Sequence, residues 1–343
     1  LVSHDPATDK WTLRTGPFDE AEFPGMPDHD WTLLVQDVDK WDADVRALLE
    51  HFRFLPAWRM DDVMVSFAAR GGIDNYDVFL VQGVGQRRWM IDSRPNPDTT
   101  YRDDVPLRLL KHFDPDCDWV LDPGDMLYLP PGVPHHGVAV NACLTISVGF
   151  RAPSSAELLE DYIDVLTFDA DESLRYGDAD VQLPADAYEI DRSALDRAWK
   201  AMQALKMDDP ERFAEWFGRF ISSYRVAVGQ SPSAETASSL SVAESVAEGV
   251  EWERHPYSRM AWRRTATGKA QIFANGRDWA CESPDDAARI CAANQIDART
   301  LGALSPAGRA LVQQLAEAGH YAPMDEDGAY EVEDDGLYED DDE

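Results

Sequence analysis

The stretch from Pro123 to Gly137 constrains the fold of this chain most, because rigid turns bracket a short apolar strand. Pro123-Gly124 predicts a tight turn, Met126–Leu129 is an apolar run, and Pro130-Pro131-Gly132 excludes both a continuing helix and a central sheet strand. His135 follows at the expected start of the next strand. Such a corner holds a side chain rigidly, so His135 is well placed for a role that needs fixed geometry, such as metal ligation. From this pattern alone, a loop histidine at a barrel rim is the commoner case.

A second glycine-punctuated stretch, residues 66–89, predicts three strands joined by two turns. Gly71-Gly72 marks the first turn, and Gly83 to Gly85 marks the second. Arg87 and Arg88 begin the third strand. Successive strand residues face opposite sides, so Arg87 and Arg88 point in opposite directions, and we expect Arg88 to be a surface or structural residue.

Together these two stretches resemble the JmjC-type cupin oxygenases, and in particular their bacterial ribosomal oxygenase branch. The likeness continues through Ser147–Pro153 into the C-terminal half. The residues that carry it are Ser66-Phe67, Gly71-Gly72, Asp74–Phe79, Gln82-Gly83, Arg87-Arg88-Trp89, Pro123-Gly124-Asp125, Tyr128, Pro130-Pro131-Gly132 and Pro134-His135. The resemblance implies an α+β chain: a JmjC-type double-stranded β-helix (cupin) domain, a helical dimerisation region and a C-terminal winged-helix domain.

The resemblance also implies a function and a site. Fe(II) would be the cofactor and 2-oxoglutarate the co-substrate. Asp74 and His135 match the family's metal ligands, while Ser66 and Arg87 match the residues that hold 2-oxoglutarate. A fork-shaped guanidinium suits that role because it grips a carboxylate through two hydrogen bonds. The implied activity is that of a ribosomal protein arginine 3-hydroxylase, acting on the sixteenth protein of the large subunit.

The sequence departs from the family at the first metal ligand. A two-histidine, one-carboxylate site takes its first histidine two residues before the carboxylate, and Gly72 occupies that position ahead of Asp74. The segment between Ser66 and Asp74 is about five residues shorter than the family's glycine-rich turn. His136 is a poor replacement, because it is adjacent to His135 and faces the other way. The alternative function is therefore an iron-free cupin-fold binding module for a basic protein partner.

Charge points to the same kind of partner. The net charge of −34 disfavours direct binding of nucleic acid or an anionic membrane and favours a basic partner such as a ribosomal protein, although acidity can also serve solubility alone. Residues 325–343 hold 12 acidic residues and no Lys or Arg; without them the chain still carries −22. This composition predicts a disordered acidic tail.

The expected domain boundaries follow from these patterns. They are a JmjC/cupin catalytic domain at 1–153, a helical dimerisation region at 154–225, a linker at 226–240, a winged-helix-like domain at 241–323 and an acidic tail at 324–343. The chain starts at Leu1 without a methionine, in a stretch that lies well inside the family's proteins, so we expect a further N-terminal segment. An aromatic stripe from Phe213 to Ile221 is by its pattern more often an intramolecular core. The resemblance, however, implies that helices here form the homodimer interface, and so aromatic a face suits one.

The apolar runs and the cysteine spacing of the sequence are those expected of a cytoplasmic protein. No apolar run approaches ~18 residues and no basic leader precedes an apolar stretch, so neither a membrane span nor a secretion signal is expected. The four cysteines show no Cys-x-x-Cys spacing, which favours reduced thiols over disulfides or structural zinc.

Overall fold

The computed structural model describes residues 1–324 except 28, 68–76, 106, 169, 180–185, 187, 224–231, 233, 235–237 and 239. The chain divides into two compact units, of which the first is Leu1–Ser154 and the second begins at Ser155. The predicted linker lies largely outside the described residues, and the predicted acidic tail does so almost entirely. No helix within the described ranges is long and apolar enough to cross a membrane.

The first unit is built mainly of antiparallel strands. They are β1 (Val2–Asp5), β2 (Lys10–Leu13), β3 (Trp31–Val35), β4 (Met60–Phe67), β5 (Val78–Val84), β6 (Arg87–Ile91), β7 (Cys117–Leu121), β8 (Met126–Leu129), β9 (His135–Ala139) and β10 (Leu144–Phe150). Helices α1 (Val38–Trp41) and α2 (Ala43–Leu48) and short 3-10 turns connect β3 to β4. One sheet has the order β2-β1-β3-β4-β10-β5-β8 and the other the order β7-β6-β9.

The two sheets share an apolar core. Val78 and Leu80 from β5 and Leu129 from β8 pack with Trp89 and Ile91 from β6. Burial of these side chains against one another holds the sheets face to face, since apolar burial contributes roughly 25 cal/mol per Å². The inward face of each strand therefore lines the space between the sheets.

The turn between β8 and β9 places His135. Leu129 ends β8 in the core, and Gly132 has a φ of +78°, a backbone conformation that side chains rarely adopt. The chain reverses there and β9 begins at His135, as the sequence predicts.

The second unit is mixed. Its helices are α3 (Ser155–Phe168), α4 (Arg192–Gln203), α5 (Pro210–Ser222), α6 (Val242–Ala247), α7 (Pro284–Ala292), α8 (Ala298–Gly302) and α9 (Pro306–Glu317). Its strands are β11 (Trp252–Arg254), β12 (Met260–Arg264), β13 (Ala270–Ala274), β14 (Arg277–Cys281), β15 (Gln295–Ile296) and β16 (Tyr321–Pro323). They form two antiparallel sheets, ordered β15-β11-β16 and β12-β13-β14.

The aromatic stripe on α5 is core within this unit. Trp216 is 3% exposed, and Phe220 and Ile221 are also buried, because α5 packs on the β12-β13-β14 sheet. The contact is close: a Cβ on Gly218 would lie 2.3 Å from ring atoms of Phe273. The expectation that this face forms the dimer interface is therefore wrong for Trp216 and Phe220. Intramolecular packing already covers them.

Candidate active site

A cavity of about 980 Å³ lies between the two sheets of the first unit. Its wall includes Met64 and Ser66 from β4, Arg87 from β6 and His135 from β9. Three of the four predicted site residues thus meet in one cavity. The fourth, Asp74, lies outside the described residues.

The Arg87 guanidinium is buried, and no anionic group is bound to two of its N–H donors in the described structure. The side chain is 1% exposed, and its Nη1 donates to the Ser66 hydroxyl over 2.9 Å. Nε and Nη2 have no hydrogen-bond partner in the described structure. Burial lowers the pKa of Arg87, while the nearby Cys143 side chain acts in the opposite direction, and a guanidinium keeps its proton in proteins. A buried cation with two unused donors favours a bound anion, and the fork geometry suits a carboxylate.

Ser66 is held by a polar network that the sequence did not suggest. Its hydroxyl donates to the Thr145 carbonyl over 3.4 Å, and the Thr145 hydroxyl donates to Oε1 of Gln82 over 3.0 Å. The Gln82 amide in turn donates to the carbonyls of Val84 and Leu144. The only sequence signal was a glutamine in an otherwise apolar buried strand. The network fixes Ser66, and through it the Arg87 guanidinium.

A backbone contact orients the His135 ring. The ring is 8% exposed, and Nδ1 lies 3.0 Å from the Val133 carbonyl oxygen. Because a carbonyl only accepts, Nδ1 must carry the proton in this contact. In a neutral ring with this tautomer, the lone pair is on Nε2. The same arrangement orients many metal-binding histidines.

Arg87 and His135 lie four residues apart along neighbouring strands. The β6–β9 ladder pairs Arg87 with Ala139 and Ile91 with His135. At ~3.4 Å per residue, these two pairs are roughly 14 Å apart along the strand. The arginine side chain covers part of that distance. The remaining distance leaves room for a small dicarboxylate between the guanidinium and a group bound to the His135 ring.

The described residues do not complete a metal site of the expected kind. They contain no cluster of three His, Cys, Asp or Glu side chains that could hold a metal ion. His136 pairs with Met90 on the outward face and contacts the Phe113 ring, as strand alternation predicts, so it does not support His135. Gly72 stands in the sequence where a two-histidine, one-carboxylate site needs a histidine.

Two aspartates of the first unit differ in their surroundings. Asp77 accepts hydrogen bonds from Nη2 of Arg59 over 2.8 Å and from the Tyr128 hydroxyl over 2.7 Å. Burial alone would raise the pKa of Asp77, but these two hydrogen bonds hold it below its usual value. Asp62 lies on the inward face of β4 with Met64 and Ser66. Burial, followed by the nearby charges of other aspartates, raises the pKa of Asp62 to about 6.

Comparisons with known proteins agree with this architecture. The JmjC domain family model matches residues 47–158, and the ROXA-like winged helix model matches residues 204–322. The chain is 38% identical over 237 residues to the ribosomal protein uL16 3-hydroxylase of Escherichia coli (strain K12). That match covers 66% of this chain and 60% of the relative, so the chain matches less than two thirds of that protein's length.

Solved structures extend the likeness over almost the whole chain. The X-ray structure of E. coli ycfD has a TM-score of 0.78 and 30% identity, covering 94% of this chain and 86% of ycfD. YcfD, described as a ribosomal oxygenase, was also solved in complex with cobalt and 2-oxoglutarate; that structure has a TM-score of 0.74 and 29% identity, covering 94% and 86%.

Fold and cavity define a JmjC-type cupin protein with a C-terminal winged helix, which confirms the predicted fold class. Within that class, the chain belongs to the ribosomal oxygenase family. The winged-helix match begins at residue 204 and so includes α5, which packs on the β12-β13-β14 sheet.

Proposed function

We propose that this protein is an Fe(II)- and 2-oxoglutarate-dependent hydroxylase of a large-subunit ribosomal protein. One observation carries the proposal: the buried Arg87 guanidinium has two unused donors inside the cavity that also contains His135. Membership of the family that includes the uL16 3-hydroxylase of E. coli supports the substrate class. A ribosomal protein substrate is in keeping with the expected cytoplasmic location.

The roles of the chain's own residues follow from the geometry. Arg87 and Ser66 bind and orient one carboxylate of 2-oxoglutarate, and Nε2 of His135 with Asp74 provides two metal ligands. Iron bound with open positions is the usual source of oxygenase chemistry in such sites. The third ligand has no counterpart at Gly72.

A basic substrate side chain requires an acidic partner at the site. Asp77 is already engaged by Arg59 and Tyr128. Asp62 is the better candidate, because burial and neighbouring carboxylates leave its charge destabilised until a cation approaches. We propose that Asp62 receives the guanidinium of the target arginine. The strong negative charge of the chain would also steer a basic protein toward it.

A homodimer is also part of the proposal, although not through Trp216 and Phe220. Large apolar side chains are exposed elsewhere on α3, α4 and α5, and an exposed apolar surface of this kind is typical of an interface. They are Leu159, Ile163, Phe168, Leu195, Trp199, Met202 and Phe213. Replacing Leu195 and Trp199 with Glu should give monomers that remain folded. An unchanged dimer would exclude α4 from the interface.

The second candidate function is an iron-free binding module for a basic protein, favoured by Gly72 at the first ligand position. The two candidates differ in one measurement. If the protein is a hydroxylase, succinate release from 2-oxoglutarate depends on added iron and is abolished in Asp74→Ala and His135→Ala. Mass spectrometry of large-subunit ribosomal proteins, from cells with and without the protein, should then show the gain of one oxygen atom on one arginine. If succinate release does not depend on iron and no arginine is modified, the binding module is the candidate function that remains.

A further inference from the structure

Gly137 packs tightly against Trp89 and Arg87, two side chains that line the cavity. It pairs directly with Trp89 in the β6–β9 ladder. A Cβ at this position would be 2.8 Å from both Cη2 and Cζ3 of Trp89, and 3.1 Å from Cδ of Arg87. Carbon atoms in ordinary contact are about 3.5–4.0 Å apart. Any side chain at residue 137 must therefore displace the indole, the arginine stem or both.

Space is what requires glycine here. The positive backbone angles that favour glycine occur at Gly124 and Gly132, but not at Gly137. The Trp89 ring cannot retreat easily, because it is buried in the core with Val78 and Leu80. Cores packed to this density accommodate an added methyl group only by shifting neighbours. The strain of a larger residue would thus pass to Arg87, whose guanidinium lies 5.7 Å from the centre of the indole ring.

The position of Gly137 along β9 gives this contact a functional meaning. Gly137 is two residues from His135 and two from Ala139, the ladder partner of Arg87, and alternate strand residues share a face. It therefore lies between the two groups that would hold the ends of a dicarboxylate. The Trp89 ring lies in the same region, and its centroid is 5.8 Å from that of the His135 ring.

We propose that Gly137 is a specificity-determining position, an inference that rests on the proposed function. By leaving room for the Trp89 ring and the Arg87 stem, it sets where the guanidinium lies, and so it sets the length of dicarboxylate that the cavity accepts. Arg87 binds the carboxylate and Gly137 acts through Arg87, which makes Gly137 a positioning residue.

The test compares ligand lengths. Dissociation constants of succinate, glutarate and adipate are measured by calorimetry on the full chain, once with EDTA and once with cobalt(II). A displacement of about 1 Å can cost on the order of 100-fold in the rate of a reaction that depends on positioning. We expect a smaller effect on binding, with Gly137→Ala weakening the affinity for the preferred diacid about tenfold or more. We also expect the ratio between diacids to change at least about fivefold, which a general loss of stability would not cause.

Two variants separate this effect from misfolding. Gly149→Ala is the matched control: it lies on an inward-facing position of β10, and its Cβ would meet Asp62 at an ordinary 3.4 Å, so diacid binding should be unchanged. In the double variant Gly137→Ala/Trp89→Phe, the loss of the indole's second ring removes the atoms that clash. We expect it to recover most of the original length preference, with a circular dichroism spectrum like that of the parent.

The results that would contradict this inference differ from those that would contradict the proposed hydroxylase activity. Equal loss for all three diacids in Gly137→Ala, no rescue in the double variant, or no diacid binding to the unaltered chain under either condition would overturn the role of Gly137. Iron-dependent hydroxylation could still be observed in the first two cases. Conversely, a length preference that depends on Gly137 in a chain that never hydroxylates would retain this inference and remove the proposed activity.

Discussion

Replacing Asp62 with asparagine is expected to stabilise the first unit at neutral pH and to leave its stability unchanged in acid. The folded structure raises the pKa of this carboxyl from 3.8 to about 6, first through burial and then through neighbouring carboxylates. Each tenfold change in proton affinity corresponds to ~1.4 kcal/mol. The ionised side chain therefore destabilises the fold by up to about 3 kcal/mol. Asparagine keeps the shape of the side chain and removes the charge.

The sign follows from proton binding. Below about pH 4, folded and unfolded chains both carry the proton on Asp62, so the two states do not differ there. Between about pH 4 and pH 6, the folded chain retains a proton that the unfolded chain has lost, and stability falls as pH rises. Above about pH 6, the full penalty is present. The stabilisation by Asp62→Asn should appear over that window and remain constant at higher pH.

Urea unfolding of both chains at several pH values measures this difference. Asp77→Asn is the informative control, because the folded pKa of Asp77 is lowered and its stabilising contribution is lost as pH falls. At neutral pH, Asp77→Asn should therefore destabilise the protein while Asp62→Asn stabilises it. An Asp62→Asn chain that is no more stable than the parent at pH 8, or a difference that does not change with pH, would refute the reasoning.

Three further outcomes follow from the structure. Arg87→Met should abolish 2-oxoglutarate binding by calorimetry and yet leave urea stability unchanged or increased, because an apolar side chain of similar length replaces a buried unpaired charge; a destabilised variant would contradict this. Tyr128→Phe should lower stability at neutral pH by about 1 kcal/mol through loss of the hydrogen bond to Asp77, and the loss should shrink in acid, as urea titrations at two pH values can measure. Gly218→Ala should destabilise the second unit by about 1–3 kcal/mol in thermal or urea unfolding, since its Cβ would meet the Phe273 ring; an unchanged midpoint would mean that α5 moves freely.

Local chemistry made several elements predictable. The proline and glycine residues around β8 fix where that strand ends, and β9 begins at His135 as predicted. The family resemblance correctly placed Arg87 in the site, and strand alternation then placed Arg88 at the surface, where it pairs with Asp118. These features depend on backbone geometry within a few residues. Sequence patterns report that geometry directly.

Features that depend on partners distant in sequence could not be predicted in the same way. The stripe on α5 fits both a dimer interface and a core, and only its packing on Phe273 and the rest of its sheet distinguishes them. The network from Ser66 through Thr145 to Gln82 joins three strands, so no local pattern reveals it. The requirement at Gly137 arises from Trp89, 48 positions earlier in the chain.

The inward face of β4 combines these lines of reasoning. Ser66 receives the hydrogen bond of a buried guanidinium with unused donors, and Asp62 lies four residues before it on the same face with a destabilised negative charge. At ~3.3–3.4 Å per residue, the two positions are roughly 13 Å apart. Each charge reduces the stability of the empty fold, and each would be compensated by a ligand of opposite sign. A carboxylate at Arg87 and a cationic side chain at Asp62 would compensate both, which is the arrangement that an oxygenase holding a dicarboxylate beside a basic protein substrate requires.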